Sequence, residues 1–449
     1  MQRKEIAGVG IGKIVTGAII IALALGVTIF YLFYTGRFGG GTKLKLTSPT
    51  HVGYEYSHLA ADNNIVSDYL FGRTKKLIVA KGGDGILAAT SYTIEGRLVT
   101  QEAENSGIYG LSDQALLLKC YVRAGDRANA VALKEEVVKR FRLPDGTYRA
   151  FVYSDPARVE DVVSVSASMD WLDAMMEYYV SYGSEGDYKE IRTIVGNLFD
   201  SEGKVVTEKI SVAKYVESLY LYLEDTSIYD EDDEGSMEQL YGTLTGESDS
   251  LEVENNEISE EVEGVLLSNI NLRLIRDLEN NGLIATGAYD KALEAVKNGF
   301  TGAGYSFYAY ATAGAMDCGA YLYSGQSTGT IDIAQNVKTM RNLAEVGELD
   351  SSSYAEFKEQ VMNTGRIYTE FVLMTGNYSG REAMGAYSDG LMIAYYQGDT
   401  DLYNKLSDTL GTRVATKSSS PAIYMIFREE NDRYVFYARE NLSTRLATS

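Results

Sequence analysis

The sequence predicts an all-α protein: an (α/α)6 toroid of helical hairpins with minor β elements, preceded by one N-terminal transmembrane helix. Apolar residues and tyrosines recur every three or four positions in seven stretches, as on the buried face of a helix. These stretches are 111–124, 164–182, 207–223, 265–279, 333–346, 353–373 and 385–396. The chain has only four prolines, so long uninterrupted helices are easily accommodated. Several helical stretches also end in one kind of turn and restart at once, which is typical of repeated hairpins.

The turns between successive helices share a glycine followed by a residue that caps a helix. Gly125-Asp126, Gly186-Asp187 and Gly398-Asp399 are three such pairs. A glycine just past a helix end adopts the left-handed C-cap conformation without steric cost, and the following aspartate can cap the next helix. In a toroid of such hairpins, we expect narrow apolar inner helices and charged outer helices.

An uncharged run at residues 14–34 precedes the helical body. Its 21 residues are long enough for one helical crossing of a bilayer, and Tyr31 and Tyr34 suit the membrane interface. The sequence Ala22-Leu23-Ala24 resembles a signal-peptide cleavage site, but cleavage there leaves ten mostly apolar residues at the new N-terminus. We therefore expect an uncleaved signal anchor. The flanking positive charges are nearly balanced and do not set its orientation.

We expect three regions, namely the signal anchor at 1–35, a stem at 36–58 and one toroid domain at 59–449. Inside the domain, residues 224–263 contain sixteen Asp or Glu and no Lys or Arg, which favours a solvated insertion between helices. Calcium binding is the alternative for 230–235, but Tyr241 occupies the position of the closing glutamate of an EF-hand loop. We expect no metal and no cofactor.

Composition excludes several classes of function. The net charge of −22 argues against binding to nucleic acid or to an anionic membrane surface, and a neutral substrate is easier to accept than a polyanion. His51 and His58 are the only histidines, which nearly excludes a Ser-His-Asp triad or a histidine-rich zinc centre in the body. Cys120 and Cys318 are expected to be buried free thiols, with a long-range disulfide as the alternative. Catalysis, if present, relies on carboxylates and tyrosines.

Three short segments between residues 99 and 173 combine carboxylates with turn residues. The first is Glu102-Ala103-Glu104-Asn105-Ser106-Gly107-Ile108-Tyr109-Gly110-Leu111, the second is Leu143-Pro144-Asp145-Gly146, and the third is Ala167-Ser168-Met169-Asp170-Trp171-Leu172. Their order resembles glycoside hydrolase family 8, the bacterial endoglucanase and exopolysaccharide-hydrolase family. Such enzymes place two separated carboxyl groups on either side of a glycosidic bond.

The resemblance implies that Glu104 is the general acid, with Glu102 as the competing residue. A carboxyl group in this role needs a pKa raised by burial in a cleft. The resemblance also implies that Asp170 holds the sugar in its distorted transition-state conformation. The alternatives are surface loop carboxylates for Glu102 and Glu104, and for Asp170 a carboxylate satisfied by the helix dipole.

Aromatic residues near these segments are candidates for stacking on sugar rings. We predict Trp171, Tyr109 and Tyr308 as substrate-binding residues, with core packing as the alternative. The catalytic base is not assigned by the resemblance. Family members carry a Gly-Tyr-Asp-Ala-x-Arg stretch, whereas the nearest segment here, 304–311, has neither the aspartate nor the arginine. The candidates that remain are Asp290, Asp317 and Asp389.

The resemblance implies an extracellular glycoside hydrolase that acts with inversion on a secreted polysaccharide, a β-glucan or an exopolysaccharide. The predicted signal anchor would keep this enzyme attached to the membrane. Scarce cysteine agrees with a C-terminal body outside the cell, on a single-pass membrane protein. One alternative is a catalytically degenerate glycan-binding protein that assists a polysaccharide synthase complex. The other is a polysaccharide lyase with a tyrosine base, which requires cations beside the substrate carboxylate. The segments around Glu104, Asp170 and Tyr308 contain few cations.

Overall fold

The computed structural model describes residues 44–47, 71–72, 74–75, 86–95, 104–213, 259–308, 310–312, 321–322, 330–372, 375–430 and 433–448. Several predicted features lie outside these residues, namely the uncharged run 14–34, most of the stem and of the acidic segment, Glu102, Asp317, Cys318 and both histidines. Within the described ranges, no helix has the length and hydropathy that a membrane crossing requires.

Helices alternate along the chain between an inner and an outer ring. The inner helices are α1 (Leu111–Arg123), α3 (Val165–Tyr182), α5 (Leu272–Asn280), α7 (Ile333–Glu345), α9 (Tyr387–Gln397) and α11 (Ala438–Ala447). The outer helices are α2 (Arg127–Phe141), α4 (Glu185–Leu198), α6 (Ala288–Asn298), α8 (Ser351–Thr364) and α10 (Thr400–Gly411). Neighbouring inner helices pack against each other around the ring. Between α3 and α5, the 3-10 turn Leu267–Asn269 provides the contact. The last inner helix, α11, packs on the first, α1. The inner ring therefore closes, and the predicted toroid is confirmed.

Short strands form four small antiparallel sheets. One sheet has the order β12-β13-β1-β2, from Arg428–Glu430, Arg433–Tyr437, Ser91–Glu95 and Glu104–Asn105. A two-stranded sheet pairs β3 (Ile108–Gly110) with β4 (Phe151–Tyr153). A four-stranded sheet has the order β5-β6-β7-β8, from Glu208–Ala213, Ser259–Leu266, Tyr310–Thr312 and Tyr321–Leu322. A three-stranded sheet has the order β11-β10-β9, from Asn377–Glu382, Tyr368–Val372 and Thr330–Asp332. Strands β3, β9 and β13 lead directly into α1, α7 and α11. These strands therefore lie at the N-terminal end of the inner ring.

The predicted turn chemistry is correct at two of the three hairpin turns. Gly125 and Gly398 have φ of +70° and +67°, and Asp126 and Asp399 cap the following helices. At the third turn the prediction is wrong, because Gly186 lies inside the first turn of α4. Ser184 caps this helix in a capping box with Asp187, and this reciprocal pair of hydrogen bonds fixes the helix start three residues earlier than a cap at Asp187 would.

Two predicted helical stretches contain strands instead. Residues 207–223 begin with strand β5, whose sequence Lys209-Ile210-Ser211-Val212 alternates polar and apolar residues with the period of a strand. Residues 353–373 hold α8 and then strand β10, because α8 ends at Gly365, where φ is +71°.

The core between the two rings is apolar and aromatic. Trp171, Tyr121, Phe141, Tyr305 and Phe357 are among its fully buried side chains. Burial of these large rings on the faces between the helix layers stabilises the toroid. Cys120 is a buried free thiol, as predicted.

Candidate active site

A cavity of about 620 Å³ lies along the axis of the inner ring. All six inner helices contribute to its wall, together with the turn that precedes α5 and the segment Leu46-Thr47. Inner and outer helices form hairpins, so the inner helices run in the same direction and the two ends of the cavity differ. Eleven charged residues contribute to the wall. They are Lys119, Arg123, Asp170, Asp173, Glu177, Arg273, Lys338, Arg341, Glu345, Asp389 and Arg439.

The middle of the cavity wall contains a buried ion network centred on Arg273 of α5. Its guanidinium donates Nη1 to Asp277 at 2.9 Å, Nε to Glu345 at 2.9 Å and Nη2 to Asp173. Asp173 also accepts a hydrogen bond from Lys119. Burial by itself raises the pKa of Asp173, but the charges of Arg273 and Lys119 hold it far below its usual range. These ion pairs connect α1, α3, α5 and α7 across the axis.

A second cluster lies nearer the N-terminal ends of the inner helices. Asp170 of α3 and Asp389 of α9 both line the cavity, and the Nζ atom of Lys338 lies 3.7 Å from Oδ1 of Asp170. Burial acts to raise the pKa of Asp170, but the charges of Lys338 and Arg439 outweigh it and the pKa is lowered. Burial raises the pKa of Asp389 despite the charges of Arg341 and Lys338. Two carboxyl groups with opposite pKa shifts at one site are typical of acid–base catalysis.

Asp113, in the first turn of α1, is a third carboxyl group in this region, and sequence reasoning missed it. Burial raises its pKa to about 7, against the opposing charge of Arg439. Asp113 is only 5% exposed and lies behind the cavity wall. The sequence signal that could have identified Asp113 is its position as an acidic residue in the first turn of the helix that begins just after Tyr109-Gly110.

The backbone of Glu104 lies on strand β2, in register with Thr93 of β1. Strand β3 follows and leads into α1, so this segment lies at the N-terminal end of the toroid axis. Asp170 and Asp389 are in the first two turns of their inner helices and therefore belong to the same end. The described structure is compatible with Glu104 at the rim of the cavity, and its catalytic role stays a prediction.

The structure separates the candidates for the catalytic base. Asp389 lines the cavity, whereas Asp290 is exposed in the first turn of the outer helix α6, and Asp317 is outside the described residues. At the position of the family aspartate, Ser306 is fully buried and donates a hydrogen bond to the carbonyl of Ala303. Tyr305 beside it is stacked on Tyr378, with ring centroids 4.7 Å apart. That segment belongs to the core.

Two predicted sugar-stacking residues lie in the core, which corrects the expectation from sequence. Trp171 and Tyr109 have no exposed side-chain surface. Adjacent helix positions point about 100° apart, so Asp170 faces the axis while Trp171 packs near Tyr148, with ring centroids 6.1 Å apart. The guanidinium of Arg140 lies 5.5 Å from the ring centre of Tyr109. Tyr308 is half-buried against the core and does not line the axial cavity.

Cations from distant parts of the sequence line the cavity, although the sequence segments around Glu104, Asp170 and Tyr308 contain few of them. Lys338 and Arg341 come from α7, and Arg439 comes from α11, more than 160 residues after Asp170 in the chain. The fold brings all three to the cavity that Asp170 lines.

No family model matches the sequence, and no curated protein is similar to it in sequence. Several solved structures are similar in fold. An α-amylase from Clostridium perfringens has a TM-score of 0.58 at 16% identity, over 86% of this chain and 97% of that chain. PssZ from Listeria monocytogenes has a TM-score of 0.50 at 12% identity, over 90% and 96%. Rex8A from Paenibacillus barcinonensis, complexed with xylose, has a TM-score of 0.52 at 7% identity, over 88% and 93%. The chain therefore shares the fold of these structures, which agrees with the fold that the resemblance of the sequence motifs implied.

Proposed function

We propose that the chain is a glycoside hydrolase whose site lies at the N-terminal end of the toroid axis. The observation that carries this proposal is the pair Asp170 and Asp389, which come from opposite parts of the chain, line one cavity and have opposite pKa shifts. Glycosidases use carboxyl groups in different roles around the scissile bond, and the different surroundings of Asp170 and Asp389 fit two different roles. The similarity in fold to the α-amylase and to the xylose-bound Rex8A supports a glycan as substrate.

The roles in this proposal follow from the surroundings of each carboxyl group. Asp389 activates water, because a general base works best when its pKa is shifted toward the working pH. Asp170, held ionised beside Lys338, stabilises positive charge that develops on the sugar ring. Glu104 donates the proton to the leaving oxygen. For an inverting enzyme, the acid and base carboxyl groups stand roughly 6.5 to 9.5 Å apart in the substrate complex.

A reducing-end assay with the full-length chain tests these roles. We expect Asp389→Asn to reduce the release of reducing ends from β-glucan or exopolysaccharide by about 100-fold or more. Asp290→Asn is the matched control, since Asp290 is exposed on an outer helix, and it should leave the rate unchanged. Full activity in Asp389→Asn excludes Asp389 as the base, and full activity in Glu104→Gln excludes Glu104 as the acid. NMR of the first product anomer distinguishes inversion from retention.

We also propose that the body acts outside the cell on a secreted polysaccharide and stays attached to the membrane through residues 14–34. The length of that uncharged run supports the attachment. Full-length protein should fractionate with membranes at its full mass, and external protease should cleave the body on intact, wall-stripped cells. A shortened form in the medium that begins near Leu25 would instead indicate a cleaved signal peptide, and protection from protease would place the body inside the cell.

One observation favours a second candidate, a glycan-binding protein without catalysis that assists a polysaccharide synthase. Ser306 occupies the position of the family aspartate and is buried in the core, so this segment supplies no base. A cavity without a base can still hold a sugar through hydrogen bonds. Calorimetric binding of a glycan without release of reducing ends would favour this candidate over the hydrolase.

A further inference from the structure

Arg439, in the first turn of α11, offers a guanidinium group to the axial cavity. Its side chain is exposed, and it makes no hydrogen bond or ion pair with any residue that the structure describes. The neighbouring carboxylate of Glu440 is already bonded to Arg428. Five donors of a rigid planar group therefore face the cavity without a protein acceptor among the described residues.

The other cavity cations are already engaged by carboxylates. Lys338 lies beside Asp170, Arg341 lies 3.2 Å from Glu345, and Lys119 is hydrogen-bonded to Asp173. Arg123 bonds Glu177 at the other end of the axis. In the part of the chain that the structure describes, Arg439 is thus the cavity cation whose guanidinium has no hydrogen bond or ion pair with a carboxylate.

The surroundings of Arg439 contain both positive charges and carboxyl groups. The N-terminal end of a helix carries a partial positive charge, which repels a cation in the first turn. Lys338 from α7 adds a second positive charge at this end. The carboxyl groups of Asp113, Asp170 and Asp389 face Arg439 from α1, α3 and α9. Asp170 is held ionised, in part by Arg439, whereas burial of Asp113 and Asp389 disfavours their ionised forms, and none of the three forms a hydrogen bond with Arg439 in the described structure. An anionic group on a ligand would compensate the charge of Arg439.

The net charge of the chain does not oppose such a ligand. The acidic segment 224–263 carries −16 of the total −22, which leaves −6 for the rest of the protein. The net charge therefore opposes a polyanion mainly through this one segment. A glycan with an isolated acidic group in each repeat meets only the local charges of the cavity.

We propose that the glycan bound in the cavity carries an acidic group, a carboxylate or a phosphate, and that Arg439 binds this group. The inference rests on the proposed function to the extent that the ligand is a glycan. Guanidinium groups bind carboxylate and phosphate oxygens in pairs, with geometry that a neutral sugar hydroxyl does not match. Arg439 is then a residue that determines substrate specificity.

Binding of three small probes to the full-length chain tests the proposal. Glucuronate, glucose 6-phosphate and glucose share a pyranose ring and differ in charge. We expect wild-type protein to bind at least one acidic probe more tightly than glucose, and Arg439→Gln to weaken that binding about tenfold or more while glucose binding stays unchanged. Arg439→Lys should keep part of the preference. Arg192→Gln, an exposed position on the outer helix α4, is the matched control and should change nothing.

The outcomes of these binding measurements distinguish a carboxylate from a phosphate as the acidic group, and they distinguish this proposal from the proposed hydrolase activity. Preference for glucuronate alone identifies a uronate, and preference for glucose 6-phosphate alone identifies a phosphorylated glycan. Equal binding of all three probes, or equal effects of Arg439→Gln and Arg192→Gln, overturns the proposal. If Arg439→Gln does not fold, the salt dependence of wild-type binding replaces it as the test. Added salt should weaken binding of the acidic probe more than binding of glucose, and equal salt dependence overturns the proposal. Hydrolysis of neutral glucan without charge preference refutes only this inference, whereas acidic-probe binding without any hydrolysis refutes only the hydrolase.

Discussion

Replacement of Arg273 by methionine tests the ion network that joins the inner helices. The guanidinium of Arg273 bonds three carboxylates, on Asp173, Asp277 and Glu345, and all four side chains are almost fully buried. Methionine has a similar length and fills the space with apolar atoms, so the change removes the charge without a large cavity. The three carboxylates then remain in the core with one buried cation fewer.

The expected cost follows from the partners that remain. Asp173 keeps Lys119, Glu345 keeps Arg341, and Asp277 keeps the backbone N–H of Thr47 at 2.7 Å. Breaking a buried ion pair by removal of one partner typically costs about 3–5 kcal/mol, and we expect Arg273→Met to lose about this much free energy of unfolding at neutral pH.

The pH dependence of this loss gives an independent check. In the wild type, Arg273 depresses the pKa of Asp173 and thereby stabilises the folded state. This stabilisation is fully present above the pKa of Asp173 in the unfolded chain, near 4, and is lost as the pH falls through the lower pKa of the folded state. In the variant, the carboxylates lose this depression and take up protons at higher pH. The destabilisation of Arg273→Met should therefore shrink as the pH falls through about 4 and below.

Urea unfolding followed by tryptophan fluorescence measures both effects, because Trp171 is the single tryptophan and is fully buried in α3. Arg192→Met on the exposed side of α4 is the control. A loss below about 1 kcal/mol, as is typical of an exposed substitution, would refute the reasoning, as would a loss that does not change with pH.

Two further predictions concern single positions. Gly398→Ala should cost about 1–2 kcal/mol because φ there is +67°. Gly186→Ala, inside α4, would place its Cβ in an ordinary van der Waals contact 3.6 Å from the Ser184 hydroxyl oxygen and should stabilise by up to about 1 kcal/mol. Equal effects of the two changes in thermal unfolding would contradict the assigned helix ends. Asp113→Asn should gain stability relative to the wild type as the pH rises from about 4 to about 7, since the folded-state pKa of Asp113 is raised to about 7 and its stabilisation is lost as the pH rises through that value. A pH-independent difference in urea midpoint would exclude this titration.

Local sequence signals predicted the helical hairpins and several of their caps. Asp126 accepts a hydrogen bond from the backbone of Asn129, and Asp399 accepts one from Leu402, as expected of aspartates that follow a C-cap glycine. Such signals work because a cap involves residues within one turn of each other. The same locality explains the error at Gly186, where the stronger capping box of Ser184 and Asp187 competes for the helix start.

The sequence by itself determined the toroid, the separate acidic segment and the dependence of any chemistry on carboxylates, because periodicity and composition are local or additive properties of the chain. The tertiary structure decided which carboxylates meet. Asp170, Asp389, Lys338 and Arg439 belong to four inner helices and reach one cavity only when the ring closes through α11 and α1. The structure also showed that Trp171 lies in the core. The apolar periodicity of the sequence could not predict this, because every helix of a toroid has an apolar stripe and the periodicity does not say whether an aromatic residue faces the axis or the neighbouring helix layer.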